Sequence, residues 1–240
     1  MIRRTVSAAL LLRDGFTGRT LSPGSVIKCA VDGERCQAVR KQGGYLVLMD
    51  LAAGEHTAVL QCAGYLDETL RLDVGGGAVR ELAIDLRPGR GYPFPAGAAF
   101  LELTLKTPDT ELWACRSGMV KLTSAQTKAG ETELQLFARG PRELLPIPGY
   151  YMFGDAKEAE LVLLREMDSS GAARVDAPLH AAHARGTELL FARRFLTDAE
   201  GRAELSFPTD GKVSVLCGGS VLETELKPGR QELSWTPGKK

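Results

Sequence analysis

The chain has 240 residues, of which 44% are hydrophobic and 25% are charged, and its 30 Lys and Arg residues balance 30 Asp and Glu residues. This composition is typical of a folded globular protein, and the zero net charge argues against a nucleic-acid binder, which needs surplus positive charge to recruit polyanions. No stretch approaches the roughly 20 apolar residues that cross a bilayer, so no membrane span is expected.

The first ninety residues predict a series of short strands. The first, Val6–Leu12, follows a basic start that also resembles the front of a secretory signal, but no small-residue cleavage site follows, so a strand is preferred. Further strands are expected at 25–30, 45–49, 56–62, 69–74 and 81–86. Glycine turns such as Asp32-Gly33 and Gly75-Gly76-Gly77 recur about every 8 to 12 residues, which is typical of a β-sandwich.

The rest of the chain predicts a linker and two further segments. Residues 87–97 are rich in Pro and Gly and form the linker candidate. Alternating stretches at 100–105, 111–115 and 132–137 read as strands with one solvated face. We therefore expect three parts: a β-sandwich at 1–90, a β-rich middle segment at 91–155, and a second sandwich at 156–240. The Ala-rich stretch 177–186 is ambiguous, because it favours a helix but is brief.

A repeated phrase links the first and third segments. In each, a Gly turn starts a short strand, a second Gly turn reverses it and an apolar strand returns, at residues 43–65 and again at 197–218. This repetition predicts one sandwich plan that is used twice.

Several of these residues carry a family resemblance. Asp14-Gly15-Phe16-Thr17-Gly18, Gly44-Tyr45 and Gly64-Tyr65 resemble the carboxypeptidase regulatory-like, or transthyretin-like, sandwich, which shows an Asp-x-x-Thr-Gly turn and a Gly-Tyr end. Thr197-Asp198-Ala199-Glu200-Gly201 supplies a second turn of this kind, while the middle segment is unmatched. The resemblance implies an all-β chain of tandem Ig-like or transthyretin-like antiparallel sandwiches. It also implies a non-catalytic module, and little else about function.

The five cysteines contain no C-x-x-C pair, so structural zinc and redox motifs have no support. Buried free thiols are expected, which fits a reducing compartment. A disulfide between Cys29 and Cys62, or between Cys29 and Cys36, remains open.

No cofactor is expected, and the only metal candidates are weak. His180 and His183 would share a face if they lay on a helix, but no H-E-x-x-H motif is present, and a solvated pair is preferred. The arginines at 185, 193 and 194 could form a basic patch, although an ordinary solvated strand face is preferred.

Five aromatic residues are the candidate binding residues, because exposed rings can bind a sugar or a partner protein. They are Trp113, Tyr150, Tyr151, Tyr92 and Phe94. Packing between modules is the alternative explanation for them.

The sequence favours a non-catalytic structural or protein-interaction chain within a larger assembly, such as a phage-tail-like or envelope-associated one. Its partner would be another protein or a further copy of itself, and its location the cytoplasm or an assembled particle. A carbohydrate- or small-ligand-binding accessory module is the first alternative. A metal-assisted hydrolase that uses His180 and His183 is the second.

Overall fold

The computed structural model describes residues 4–75, 79–116, 120–124, 126–139, 145–154 and 159–238. Within these ranges the chain is all-β, with one short 3-10 helix (Gln42–Gly44) and no α-helix, which confirms the expected class. No helix in this part has the length and apolar character that a membrane span requires. The chain divides into two compact units, Met1–Phe94 and Pro95–Lys240, which are described in turn.

The described strands of the first unit form two four-stranded sheets, with the orders β4-β5-β1-β8 and β3-β2-β6-β7. The strands are β1 (Val6–Asp14), β2 (Ile27–Val31), β3 (Glu34–Arg35), β4 (Ala38–Arg40), β5 (Tyr45–Met49), β6 (Gly54–Cys62), β7 (Glu68–Val74) and β8 (Arg80–Leu86).

The two sheets share one core. Alternate residues of β1, among them Leu10 and Leu12, are fully buried and lie in the same apolar cluster as Leu60 and Leu72 of the other sheet. Burial of each such leucine contributes about 1.5–3 kcal/mol, so the period-two pattern sets which face of each strand turns inward. The first unit is therefore a two-layer sandwich, and the predicted strand at 6–12 is confirmed as the start of β1.

The turn between β2 and β3 follows the sequence prediction. Asp32 and Gly33 are the two connecting residues, and both have positive φ, 54° and 82°. A two-residue hairpin of this kind matches the right-handed twist of its strands. The predicted Gly75-Gly76-Gly77 turn lies largely outside the described residues, since 76 and 77 are not among them.

One pairing differs from the expected antiparallel plan, because β8 runs parallel to β1. β7 lies in the opposite sheet, so the chain crosses between sheets before β8 and no hairpin dictates its direction. Two side-chain contacts hold this strand: Arg13 makes a bidentate ion pair with Asp85, at 2.7 and 3.0 Å, and the Tyr45 hydroxyl crosses β1 to donate to Glu81 at 2.5 Å.

The second unit contains a three-stranded sheet of order β17-β9-β20 and a nine-stranded sheet of order β11-β12-β15-β14-β13-β16-β10-β18-β19, counted over the described residues. Its strands are β9 (Ala99–Thr104), β10 (Glu111–Arg116), β11 (Val120–Leu122), β12 (Glu133–Ala138), β13 (Gly149–Phe153), β14 (Leu161–Met167), β15 (Ala172–Val175), β16 (Glu188–Leu196), β17 (Arg202–Phe207), β18 (Gly211–Cys217), β19 (Ser220–Leu226) and β20 (Gly229–Ser234).

Six strands of the larger sheet close into a barrel. β11 pairs with β12 on one side and with β16 on the other, where Val120 lies opposite Leu189. Closure leaves no free edge in this part of the sheet. The interior is filled by apolar side chains such as Leu136, Phe153 and Leu164, which are at most 3% exposed. The sequence analysis did not predict this barrel.

The remaining strands of the second unit form a sandwich with the same order as the first. β17-β9-β20 corresponds to β5-β1-β8, and β16-β10-β18-β19 corresponds to β3-β2-β6-β7. In both, the last strand is parallel to the first. The repeated phrase falls on equivalent strands, β5 and β6 in one unit and β17 and β18 in the other. The barrel is thus inserted between the second and third strands of the second sandwich.

The observed units differ from the three expected domains. Residues 91–155 do not form a separate part, because β10 pairs with β16 and β18 of the same unit. The expected border at 155 falls outside the described residues, yet the strands on either side of it, β13 and β14, pair with each other. The stretch 177–186 is a loop rather than a helix.

Candidate interaction surface

Two of the predicted binding residues meet on the outside of the nine-stranded sheet. The rings of Trp113 on β10 and Tyr150 on β13 have centroids 4.5 Å apart and are tilted by 50°. On the shared strand β16, Trp113 lies opposite Arg194. Tyr151 lies opposite Phe191, which places Tyr150 opposite Ala192. Ala192 therefore lies between the two rings. This small residue allows the rings to approach each other. Tyr150 is 40% exposed and Trp113 is half-buried.

An apolar cluster lies beneath these rings, which we call the outer cluster. Its buried members are Cys115, Met152, Leu190, Ala192 and Leu216. Outer faces of antiparallel sheets are usually polar, so a buried cluster on this side is unusual. It forms because β16 belongs to both barrel and sandwich, which brings β13 of the barrel beside β10 and β18 of the sandwich.

Charged side chains border the aromatic pair. Glu111 accepts a hydrogen bond from Trp113 Nε1 at 2.8 Å and another from Arg194 Nε at 2.6 Å. This ion pair is about half exposed, so it contributes about 0–1 kcal/mol to stability. Its effect is orientational, because it fixes the indole of Trp113. Leu196, 49% exposed, extends the apolar surface past the ion pair.

A groove of about 710 Å³ continues from the outer cluster between the barrel rim and the β18–β19 hairpin. Leu190 belongs to both. The charged side chains along the groove are Glu188, Lys212, Glu223 and Glu225, three acids against one base. The apolar surface therefore borders an acidic depression.

Tyr151 lies on the opposite face from Tyr150. Successive residues of a strand point to opposite sides, and Tyr151 points into the barrel, where it is 1% exposed and packs against Phe191 at 5.6 Å. It is therefore a core residue and is not available as an exposed binding ring.

Tyr92 and Phe94 also pack, but within the first unit. Their rings form a cluster with Phe16 and Tyr65, at centroid distances between 4.7 and 5.5 Å. The Tyr92 hydroxyl donates to Asp14 at 2.6 Å. The predicted linker thus folds onto the first sandwich up to Phe94, and both rings are half-buried.

The two candidate metal-binding histidines differ in burial, although the Nδ1 of His180 also lies 3.6 Å from Glu160. The side chain of His180 is 91% exposed, whereas that of His183 is 1% exposed and stacks on Phe153 at 3.7 Å. Glu160, also buried, accepts hydrogen bonds from the amides of His180 and Ala181 and lies 3.1 Å from His183 Nε2. This carboxylate fastens the 177–186 loop to the barrel.

No group of three or more His, Cys, Asp or Glu side chains that could hold a metal ion occurs among the described residues. The residues expected as a basic patch also separate: Arg193 is buried over the rings of Phe195 and Phe207, while its neighbour Arg194 is exposed and paired with Glu111.

Sequence reasoning missed the residues that organise these sites. Glu160 and Glu111 looked like two of many evenly spread carboxylates, and no local motif marks them. Asp14 had a signal, since it begins the Asp-x-x-Thr-Gly turn, where it accepts the amides of Phe16 and Thr17 at 2.7 and 3.1 Å. Its further bond to Tyr92, 78 residues away, could not be read from that motif.

No family model matches the chain, and no curated protein matches it. Among solved structures it is similar to the Bacillus anthracis TIE protein, with 13% identity and a TM-score of 0.29 over 98% of this chain. The chain spans about half, 51%, of that protein's length.

Two pilins are similar at the same level. GBS52, the minor pilin of Streptococcus agalactiae, has 10% identity and a TM-score of 0.25, covering 98% of both chains. BcpA, the major pilin of Bacillus cereus, has 8% identity and a TM-score of 0.28, covering 99% of this chain and 100% of its own. Similarities this low carry no argument about function.

Proposed function

We propose that this chain is a non-catalytic structural protein that binds another protein through Trp113 and Tyr150, which rest on the buried outer cluster. The observation that carries the proposal is an aromatic, apolar surface on the side of an antiparallel sheet that is usually polar. Exposed Trp and Tyr rings over a packed apolar base are the residues that dominate protein–protein binding energies.

The groove defines the chemistry of the partner. Of the three carboxylates that adjoin the apolar surface, Glu188 already pairs with Lys121 at 3.0 Å, so Glu223 and Glu225 are the acids, beside Lys212, that a partner would meet. Complementary charges steer partners and select their orientation. We therefore infer a partner that presents an apolar anchor flanked by Lys or Arg side chains, either another protein or a second copy of this chain.

The remaining polar chemistry supports a non-catalytic role. His183 is buried against Glu160 and Phe153, and His56 lies between Asp32 and the Ala52 carbonyl, so both rings have structural partners. We further propose that both sandwiches are Ig-like modules of the transthyretin-like type. The proposal includes a cytoplasmic or particle-bound location, with a phage-tail-like or envelope assembly as the setting.

Site-specific photo-cross-linking tests this function. A benzophenone amino acid at position 150 should give one discrete adduct in the native source, whose mass tells a foreign partner from a second copy. Position 137 is the matched control, because Phe137 is an exposed ring, 58%, on β12 across the barrel. Trp113→Ala should lower the adduct yield about tenfold or more, since truncation of a hot-spot anchor costs about 2 kcal/mol or more. Equal adducts from both positions, or none from 150, would refute the proposal.

A sugar ligand is the second candidate, favoured by the contact between Trp113 and Tyr150 beside Glu111 and Arg194. Aromatic faces stack on sugar rings, and flanking charged groups bind hydroxyls. Trp235→Phe leaves Trp113 as the single tryptophan, so its emission can be followed during titration with glucan and chitin oligosaccharides. A saturable shift that Tyr150→Ala abolishes would support this candidate, and a flat titration would remove it.

A further inference from the structure

We propose that Cys29 and Cys36 form a redox-active dithiol that closes to a disulfide by exchange with a low-molecular-weight disulfide such as oxidised glutathione. The two residues lie across the β2–β3 hairpin. Register pairs Ala30 with Arg35, which places Cys29 directly opposite Cys36 one step further along. The Cys36 amide donates to the Cys29 carbonyl at 3.0 Å, the bond that directly opposed residues make.

This placement brings the two Cα atoms within the usual span of a disulfide. Directly opposed, hydrogen-bonded residues have Cα atoms about 5.5 Å apart, and disulfides most often join Cα atoms about 5.5–6 Å apart. Both side chains face the core of the first sandwich. The two thiols therefore lie on the same side of the hairpin.

The alternative partner is less suitably placed. Cys62 on β6 lies opposite Ile27, whereas Cys29 lies opposite Leu60. Cys29 and Cys62 are thus diagonal neighbours, which are about 7–8 Å apart and beyond the usual span of a disulfide. Of the two pairings that the sequence left open, the structure favours Cys36.

Exposure orders the two steps of the exchange. Cys29 is buried, 6% exposed, and burial raises its pKa to about 11, whereas Cys36 is half-exposed. Burial also raises the pKa of Cys36, so its exposure rather than its acidity orders the two steps. Cys36 is therefore the thiol that meets the oxidant first.

The reaction balances as two exchanges. The Cys36 thiolate attacks one sulfur of oxidised glutathione, breaks its S–S bond and releases one glutathione thiolate, which leaves a mixed disulfide on Cys36. The Cys29 sulfur then attacks the Cys36 sulfur, forms the Cys29–Cys36 bond and expels the second glutathione. The protein loses two electrons and two protons, and the two glutathione thiols gain them.

Closure would act on the edge of the sheet. β3 has two residues and is held by two register pairs to β2. A covalent bond one step beyond those pairs would fix this edge strand to its neighbour. The redox state of the pair thus controls how firmly the edge is held.

Tryptic mapping tests the proposal on the full chain. The reduced protein is incubated under native conditions with oxidised glutathione, and its remaining thiols are then alkylated in denaturant. Trypsin cuts after Lys28 and Arg35, so Cys29 and Cys36 fall on separate peptides, 29–35 and 36–40. We expect these two peptides joined as the main oxidised product, with Cys62, Cys115 and Cys217 alkylated.

Variants separate the two steps. Cys29→Ala should stop the reaction at a glutathione mixed disulfide on Cys36, and Cys62→Ala, the matched control, should leave the linked peptides unchanged. A wild-type chain that ends as the mixed disulfide, links Cys36 to Cys62, or joins two chains would overturn the proposal. The wild-type result decides the matter even if Cys29→Ala does not fold.

Discussion

Gly201 illustrates how single residues fix the turns of this chain. It has φ of 76°, and a Cβ at this position would lie 2.5 Å from the Leu105 carbonyl oxygen. Asp198 begins the same turn and accepts the amides of Glu200 and Arg202. Such a turn can be recognised in the sequence as Asp-x-x-Gly, because the aspartate, the glycine and the amides that the aspartate binds lie within five consecutive residues.

Gly201→Ala should destabilise the second unit by about 2 kcal/mol or more, because it combines left-handed backbone strain with a clash against backbone. Gly97→Ala is the control, since Gly97 has open space and no positive φ, and it should change stability by less than about 0.5 kcal/mol. Both tryptophans lie in this unit, so urea unfolding followed by tryptophan emission reports it directly. Equal effects of the two variants would contradict the turn geometry.

His56 gives the first unit a pH dependence. Hydrogen bonds to Asp32 and to the Ala52 carbonyl raise its pKa above the ordinary 6.5, while the bonds from Thr57 and His56 lower the pKa of Asp32 below 3.8. Because the pKa of His56 is higher in the folded state, the protonated ring stabilises the fold, and this stabilisation is complete below pH 6.5. It is lost as the pH rises through the pKa that His56 has in the folded state. Because the pKa of Asp32 is lower in the folded state, its carboxylate stabilises the fold above pH 3.8. This stabilisation is lost as the pH falls through the pKa that Asp32 has in the folded state.

An NMR titration of the histidine ring protons checks this prediction. His56, the one histidine of the first unit, should titrate above 6.5, and Asp32→Asn should bring its pKa down. Midpoints that Asp32→Asn leaves unmoved would show that the ion pair does not form in solution.

Strands were predictable where polar and apolar residues alternate. Which face of a strand is buried was less predictable, because contacts with residues distant in the sequence decide it. Tyr150 and Tyr151 had to face opposite sides of one strand, but only the barrel determines that Tyr151 is inside. Trp113 and Tyr150 meet because their strands both pair with β16. This strand lies about 80 residues after Trp113 and about 40 after Tyr150, so no local pattern encodes the contact.

The loop at 177–186 shows the same dependence on a remote residue. Its Ala-rich sequence suggested a helix, yet its amides at His180 and Ala181 bind Glu160, so the loop satisfies its backbone without helical bonds. The sequence could not reveal this, because the carboxylate lies about 20 residues upstream.

Glu160→Gln should therefore loosen the loop while leaving the barrel folded. Charge-assisted bonds to a buried carboxylate are worth about 1.5–3 kcal/mol, so the His180 and Ala181 amides should exchange hydrogen about tenfold faster or more. Glu166→Gln is the matched control, because Glu166 is 65% exposed in its pair with Arg174. Unchanged exchange in Glu160→Gln would show that the carboxylate does not fasten the loop.

At the scale of the whole molecule, the sequence predicted an all-β chain, but it placed the second sandwich at 156–240, without β9 and β10, and missed the barrel. The echo between 43–65 and 197–218 falls on equivalent strands of the two units, which repeated local turns made visible. Two similar phrases, Leu86-Arg87-Pro88-Gly89-Arg90 and Leu226-Lys227-Pro228-Gly229-Arg230, are not equivalent. The first leads out of β8, the last strand of its unit, whereas the second connects β19 to β20 and includes the start of β20. Barrel closure joins Val120 to Leu189, a pairing too distant in sequence for periodicity to indicate.

The barrel also produces the proposed binding surface. Tyr150 and Met152 come from the barrel, and Trp113, Cys115 and Leu216 come from the sandwich. Neither part contains the outer cluster alone. The function proposed for the chain therefore depends on the insertion of one β-structure into another.

Cooperative unfolding of a barrel-deleted chain tests this architecture most directly. Cys115 lies opposite Ala192, so Arg116 and residue 191 are the next opposed pair. An Asp-Gly turn in place of residues 117–190 would join these two residues as a hairpin. The substitution Phe191→Thr would avoid an exposed ring. We expect a β-type circular-dichroism spectrum and a cooperative urea transition of tryptophan emission, to which both Trp113 and Trp235 contribute. Removal of β18 and β19 instead should abolish that transition, because both strands belong to the sandwich. Loss of the transition in the barrel-deleted chain would contradict the assignment of the barrel as an insertion into the second sandwich.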